Sequence, residues 1–581
     1  MSKKRVVSIL FPNDDTIQYH AMPDTAWHDL GLDALCEKLT TKVNERGMIS
    51  SVMRTMTDSP KVSQFRIDCF DDLLRFPEFR DRMIKLLDQV QFLNDYGSFK
   101  KDHDIKAGLW ELLHRLSELD DYIKCLENIR DCLNDYDVHS DALLGLKDYI
   151  TAVYDTSSFE ELKKDIAALK ADTSSLKSVT IGVNLNTNFE ASSIGIVSVN
   201  NKEFRNSGIL GNFADAIVAK EGIREGNDWN GSLRFHPVTN NALDFLPSSD
   251  NVALFAASLG QPLLGPAVAA TLATSPEKDS TRYVTKYFDK DISHMLSHVT
   301  RKLEQVLSRY VSLSIGHITD LIPEFIFYIR WAEYLDTLKE KGYLFCKPDV
   351  LAEGSEHTRM IATGIYNLKL AALSEETPES IVPNSLSFTD EQSLFLLTGA
   401  NRGGKTTITQ AIGLLYALAQ CGISVPGKGF TFAPVDCIYT HYPADEDKTM
   451  DLGRLGEECQ RFKDLYTNAT ASSLLLLNET FSTTSFEEGY FIARDAVLAL
   501  LDKNCRVIYN THMHKLAYEI PELNKATSAG HGKAASLVVQ SHNGERSFKV
   551  MVAPPEGKSY AEDIAKKYGV TYDMLTGKSG K

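Results

Sequence analysis

Apolar positions change their period along the chain, and each change marks a different kind of element. From Val62 to Leu169 they recur at helical spacing: Ile67, Leu73, Leu74, Met83, Leu86, Leu87, Val90 and Phe92 fall largely on one face with charges between them, which predicts amphipathic helices. Ahead of this region, Val6–Phe11 reads as a short strand and the stretch around Leu30–Val43 as a helix. From Ser178 the pattern alternates instead: "VTIGVNLNTNFEASSIGIVSVN" predicts a β-hairpin, and the sequence that follows, to about Lys290, is rich in Asn, Ser, Gly and Pro. Ile292, Leu296, Val299, Leu303, Val306, Leu307 and Tyr310 then share one helical face, with no proline between Pro276 and Pro323. At ~1.5 Å per residue, such a helix is a rod on the order of 50 Å long. A second helical run, Ile326–Lys341, follows the Pro323 break. Together these read as a helical lever interrupted by a smaller, partly β insertion.

After Cys346 the apolar runs shorten and alternate with helical stretches: "LFLLTG", "CIYTHY", "SLLLLNE", "RVIYNTH" and "SFKVMVA". That alternation predicts an α/β domain with a largely parallel sheet. The expected organisation is a short N-terminal segment over 1–60, a helical lever or core domain over 61–345 with a clamp-like insertion at about 178–290, and an α/β domain over 346–581.

The 581 residues, 43% hydrophobic and 24% charged, describe a folded chain long enough for several cores. The net charge of −16 excludes a uniformly basic nucleic-acid coat protein, though not a local basic face. The nine cysteines are odd in number and none stands in a C-x-x-C pair, which points to reduced thiols in a cytoplasmic protein. Asn251–Pro276 carries no charge, but Gly260, Pro262, Gly265 and Pro266 interrupt it, so it reads as a packed loop rather than a membrane span. No membrane partner is expected.

The strongest local signal is Gly399-Ala400-Asn401-Arg402-Gly403-Gly404-Lys405-Thr406, which fits G-x-x-x-x-G-K-[ST] at every fixed position. It follows a strand-like "SLFLLT" and opens a helix at about Thr407, the context that a phosphate-binding loop requires. Glycines let backbone amides turn towards phosphates; Lys405 would reach the β and γ groups, and the Thr406 hydroxyl would coordinate Mg²⁺. The buried strand "SLLLLNE" ends in Asn478-Glu479, the place for a metal-holding residue and a general base, with Glu479 as that base. Asn478 stands where an Asp is usual: an amide can bond the water shell of Mg²⁺ but brings no charge. His512, at the tip of "RVIYNTH", could sense the γ-phosphate and the attacking water.

Several ordered motifs now carry a family resemblance. Thr398-Gly399-Ala400-Asn401 with Gly403-Gly404-Lys405-Thr406-Thr407, then Asn478-Glu479 with Thr484-Ser485 and Glu488-Gly489, then Asn510-Thr511-His512, resemble the motifs of the MutS family of DNA mismatch-repair proteins. "IVPNSLSF" and "GKSYAEDIAKKYGV" fall where that family has its flanking segments, while "SQFRIDCFDDLL" and "RWAEYLDTLKEKGYLFCKPDV" resemble the opening and close of its lever. The resemblance implies a multidomain fold, an α-helical lever with a partly β insertion followed by an α/β P-loop ATPase domain of the ABC type. It implies ATP and Mg²⁺ as cofactors, with nucleotide contacts from Gly399 through Thr407 and from Ile381, metal contacts from Thr406, Asn478 and Glu479, and catalysis by Glu479, His512 and Lys405. As partners it implies duplex or branched DNA, and a second copy paired through the ATPase domains.

The departures from the family pattern are specific. Its aromatic platform for adenine falls at Ile381, and the Ser that it offers to the partner subunit's nucleotide falls within Asp451-Leu452-Gly453-Arg454-Leu455-Gly456-Glu457-Glu458, where no hydroxyl remains. With Asn478, these predict slow or differently arranged hydrolysis. The residues ahead of Val62 are too few for recognition and connector domains, and Phe76-Pro77-Glu78 and Phe159-Glu160-Glu161 lie in amphipathic runs rather than in a recognition wedge. Mismatch selection is therefore not expected. From Leu176 to Ser275, six Lys/Arg stand against eight Asp/Glu, no basic stripe; Lys202, Arg205, Lys220 and Arg224 are the candidate phosphate contacts. The rival reading is an ATP-binding switch or scaffold that hydrolyses poorly and grips a protein partner.

Overall fold

Four short apolar runs pair side by side because each is buried on both faces, the condition that selects a parallel sheet. In the computed structural model, six strands form one sheet in the order Ile438–His441, Leu474–Asn478, Arg506–Asn510, Gln392–Thr398, Lys533–His542, Glu545–Val552. The first five run parallel, and only the last pairs antiparallel. Leu474, Leu475, Leu476 and Leu477 are wholly buried, and Leu394, Phe395, Leu396 and Leu397 likewise. Helix Phe486–Lys503 covers the sheet with Tyr490, Ala493, Val497 and Leu500, whereas helix Lys405–Gln420 is buried along nearly its whole length. A second sheet of four strands, Asp349–Val350, Gly429–Phe432, Thr358–Ile365 and Asn384–Thr389, flanks it.

The structure describes residues 7–96, 109–174, 177–185, 187–188, 191–201, 297–310, 316–352, 358–373, 377–399, 403–443, 453–527, 531–542, 545–555 and 568–576. The chain divides into two compact units. One takes residues 1–91, 128–151 and 316–581, so the N-terminal region groups with the α/β sheet. Buried contacts account for this. Arg66, on helix Pro60–Arg75, donates to the Leu10 carbonyl and, at the end of helix Lys405–Gln420, to the Gln420 carbonyl, each at 2.9 Å. Tyr328 donates to the Arg66 carbonyl at 3.0 Å. The other unit takes residues 92–127 and 152–315. It holds helix Ser157–Thr173, the hairpin Ser178–Leu185 with Ala191–Asn200, and helix Ser297–Leu307, whose Lys302 pairs with Asp172. Phe159 is buried there against Tyr122 and Tyr154, a core residue as its helical spacing implies.

The hairpin and the five α/β strands stand where the alternation and the short apolar runs place them. Other expectations need correction. Val7–Phe11 is not a strand: its amides are taken by a side chain, with Ile9 and Leu10 donating to the buried Glu324 carboxylate at 2.8 and 3.3 Å. The helix expected around Leu30–Val43 is three, Asp24–Leu30, Leu32–Leu39 and Val43–Met53, broken first at Gly31, where φ is 71°. Pro323 does not precede its helix but sits in the first turn of Ile322–Glu340, where its missing N–H is no loss. The helix after the glycine-rich loop begins at Lys405, not Thr407. Residues 202–296, which include the uncharged stretch and the four candidate phosphate contacts, lie outside the described residues. Among the described residues, no helix is long and apolar enough to cross a membrane.

Two glycines give opposite expectations. Gly422 has φ 85°, and a Cβ there would meet the Arg66 carbonyl oxygen at 2.4 Å. Gly422→Ala should cost about 2–4 kcal/mol and lower the melting temperature. Gly145 lies within helix Asp141–Tyr154 with nothing within 4 Å of such a Cβ, so Gly145→Ala should stabilise by ~0.5–1 kcal/mol. Differential scanning calorimetry of both variants tests the pair.

Candidate functional site

Parallel strands that end level with one another gather their C-terminal residues on one edge of the sheet, where open α/β sheets bind ligands. Here Asn478 stands opposite Asn510, and Asn510 opposite Leu397, the residue before Thr398 and Gly399. The register therefore brings the glycine-rich loop, the Asn478-Glu479 pair and the approach to His512 together. Ala400, Asn401 and Arg402 lie outside the described residues; Gly399, Gly403, Gly404, Lys405, Thr406 and Thr407 are described.

Gly399 and Gly404 are left-handed, with φ 139° and 89°, and a Cβ on Gly399 would meet Val539 at 3.0 Å. Gly404 caps helix Lys405–Gln420 without a side-chain bond, leaving first-turn amides of this 16-residue helix for an anion. Lys405 is buried at 5% exposure, and its ammonium donates to the Gly399 carbonyl at 2.8 Å. Burial lowers its pKa, while the nearby Glu479 charge acts the other way. The Thr406 hydroxyl donates to Asn478 Oδ1 at 3.2 Å. Asn510 Nδ2 reaches both, donating to Thr406 Oγ1 at 3.4 Å and more closely to Asn478 Oδ1. Asn510 Oδ1 is buried with no hydrogen-bond partner among the described residues.

Glu479 follows in the left-handed region at φ 53°, and its amide donates to the Asn510 carbonyl at 2.8 Å. Such a backbone costs about 1–2 kcal/mol in a residue that carries a Cβ. It turns the carboxylate to His512, whose Nδ1 lies 3.2 Å from Glu479 Oε1. The His512 hydrogen bond is the largest cause that holds the Glu479 carboxyl below its ordinary 4.5; burial opposes it, and the His512 and Lys405 charges assist. Thr511 donates its amide to the Leu397 carbonyl and so pins His512 beside strand Gln392–Thr398.

A cavity of about 490 Å³ opens beside this floor, a size that takes a nucleotide. Lys405, Thr406 and Glu479 line it together with Tyr366, Ile381 and Phe548. Phe548 is the residue that sequence reasoning missed. It stands on the edge strand at φ 53°, held by Asn384, which donates to its carbonyl at 3.1 Å and accepts the Val550 amide at 2.8 Å. Nothing in the spacing could locate it, because a bulged edge strand brings it back to Gly404 from far along the chain. Asn510 was visible as the last polar residue of its strand, aligned with Asn478, but only the register makes them partners. Among the described residues no group of three His, Cys, Asp or Glu could hold a metal ion, so a metal here would need the Thr406 hydroxyl and the Asn478 amide beside Glu479. These hard oxygen donors fit Mg²⁺, which keeps several waters. Gly453, at φ 69°, opens helix Gly453–Asn468 and does not line this cavity, and Asp451 and Leu452 lie outside the described residues.

The fold and site define a class: a largely parallel α/β domain with a G-x-x-x-x-G-K-T loop at the edge of a polar-floored cavity. Residues 395–576 match the family model for MutS domain V. The DNA mismatch repair protein MutS of Chlorobium chlorochromatii (strain CaD3) is 30% identical over 199 residues, 34% of this chain and 22% of that protein. The probable DNA mismatch repair protein Msh6 of Drosophila melanogaster is 26% identical over 316 residues, 52% of this chain and 26% of that one. The endonuclease MutS2 of Finegoldia magna (strain ATCC 29328 / DSM 20472 / WAL 2508) is 25% identical over 242 residues, 41% and 30%. Over these segments the chain is similar to the MutS family, and it spans at most 30% of the length of these three relatives.

The carboxylate depression has a sign that can be tested. A lowered Glu479 pKa adds stability above about 4.5, which is lost as the pH falls through the folded-state value. His512→Ala should raise the Glu479 titration midpoint, read by ¹³C-carboxyl NMR. An unchanged midpoint would mean that His512 does not hold the charge.

Proposed function

We propose that the chain is a MutS-type ATP-dependent DNA clamp. In this reading 346–581 is a P-loop ATPase domain of the ABC type, and two copies pair through these domains around duplex or branched DNA, in the cytoplasm. The helical lever and its clamp-like insertion would enclose the DNA. The observation that carries the reading is the convergence of Lys405, Thr406, Asn478, Glu479 and His512 on one floor, beside a cavity that Ile381 and Phe548 also line.

Each residue then has a physical role. Lys405 and the first-turn amides of helix Lys405–Gln420 bind phosphate oxygens, and the buried ammonium exchanges the Gly399 carbonyl for them. Thr406 and Asn478 would hold Mg²⁺ and its water shell, and the ion would neutralise charge on the phosphates. Glu479, kept ionised and oriented by His512, is placed to accept a proton from the attacking water. Ile381 and Phe548 contact the base, the ring supplying the stacking that an aliphatic residue lacks. The neutral amide pair favours slow turnover, which is the support for the second reading, a nucleotide-gated switch that grips a protein.

Lys405→Ala should abolish ATP binding, whereas Glu479→Ala should keep it and slow turnover by ~10²-fold or more. Phosphate-release kinetics beside equilibrium binding of a fluorescent ATP analogue separate the two effects. Retained binding in Lys405→Ala would refute the phosphate role.

DNA binding by a clamp that holds backbone rather than bases should weaken steeply with salt, log K falling by about 0.9 per neutralised phosphate for each tenfold rise. A single mismatch should change affinity by less than ~1 kcal/mol. A gel-shift panel of homoduplex, mismatched and branched DNA at ~50 and ~200 mM salt tests this. Binding indifferent to salt, or none, would favour the protein-gripping switch.

A further inference from the structure

The turn that follows Asn478 keeps a conformation its own residues disfavour. Glu479 and Phe481 both lie in the left-handed region, at φ 53° and 64°, where side chains with a Cβ persist only if the surroundings over-determine them. Three anchors come from the sheet. The Glu479 amide donates to the Asn510 carbonyl at 2.8 Å. The Tyr509 hydroxyl donates to the Thr480 carbonyl at 2.6 Å. Thr480 Oγ1 lies 3.0 Å from Nδ1 of His441, which burial keeps neutral down to about 4.

The fourth anchor comes from a different element. Glu458, on helix Gly453–Asn468, accepts the Phe481 amide at 2.7 Å with Oε1 and the Thr483 hydroxyl at 2.6 Å with Oε2. Its exposure is 7%, so the carboxylate has left water, and both of its oxygens are occupied by the turn. A buried carboxylate is costly unless fully hydrogen-bonded, so this one stays only while the turn keeps its shape. Behind the turn, Gly489 leaves room: a Cβ there would meet the Phe481 carbonyl oxygen at 2.3 Å.

We propose that Glu458 is a positioning residue for Glu479. By fixing the Phe481 amide and the Thr483 hydroxyl it holds the turn in the form that presents the Glu479 carboxylate beside Lys405 and His512. The assignment rests on the reading of Glu479 as the residue that activates water. It needs neither the charge nor a proton of Glu458, only its two hydrogen bonds. A glutamine in its place can supply both, the amide oxygen accepting the Phe481 N–H and the amide nitrogen donating to Thr483 Oγ1; an alanine supplies neither.

Steady-state ATP hydrolysis by the full chain tests this, read beside binding of a fluorescent ATP analogue. Glu458→Ala should lower kcat by ~10- to 100-fold with KM and analogue affinity within about twofold, and Glu458→Gln should stay within about threefold of the parent. Thr483→Ala, at an exposed position that folding tolerates, should fall between them. Unchanged kcat in Glu458→Ala, equal losses in the Gln and Ala variants, or a matching rise in KM would overturn the assignment. If Glu458→Ala does not fold, unchanged kcat in Thr483→Ala overturns it. A parent chain that does not hydrolyse ATP would overturn the ATPase reading and this assignment with it, whereas a parent-like Glu458→Ala in an active enzyme overturns this assignment alone.

Discussion

The level ending of the parallel strands is the constraint on which the cavity floor depends. Because Asn478 pairs with Asn510, and Asn510 with Leu397, the residues that leave the sheet do so at one height. The glycine-rich loop, Glu479 and His512 then meet without any long side chain reaching for another. A slip of one residue in the Arg506–Asn510 strand would exchange its faces and turn Asn510 away from Asn478. Leucines buried on both faces do not by themselves fix that register; the buried Asn478–Asn510 amide pair at the strand ends does, because a slip would deprive both amides of this bond. The apolar runs bury the strands, and the polar chemistry at their ends aligns them.

Buried polar contacts carry that order outward. Arg66 is wholly buried, and removing a guanidinium from water is tolerated because the Leu10 and Gln420 carbonyls accept from it. Glu324, 2% exposed, is satisfied by the Ser8 hydroxyl and the Ile9 and Leu10 amides. The Arg66 bonds fix Leu10 and the far end of helix Lys405–Gln420 to the same helix, Pro60–Arg75, and the Glu324 bonds tie Ser8–Leu10 to helix Ile322–Glu340. The N-terminal region thus supports the helix whose first turn opens at the candidate site.

The amide pair sets the chemistry of this floor. A carboxylate at position 478 would place charge next to Lys405 and Thr406; the neutral Asn478 instead accepts from Thr406 and Asn510 and is held in one orientation. The negative charge on this floor is therefore concentrated on Glu479, whose carboxyl the His512 hydrogen bond holds below its ordinary pKa. Such a floor favours orientation over electrostatic strength. On the proposed reading, it suits a nucleotide site whose occupancy matters at least as much as its turnover.

The sequence by itself determined the class of each region. Period-two and period-3.6 patterns are local properties, so the hairpin, the amphipathic helices and the five short α/β strands could be read directly, and the G-x-x-x-x-G-K-T loop carried its strand and helix with it. Local rules misled where a tertiary partner overrode them. Val7–Phe11 has the composition of a strand, but Glu324, more than three hundred residues away, takes its amides. Only the tertiary structure decided that Phe548 lines the cavity with Ile381, that Asn510 orients Asn478, and that Glu458 braces the turn carrying Glu479. None of these pairs is close in sequence or shares a period. They arise from strand register and helix packing, which are fixed by contacts across the whole sheet rather than by any segment of it.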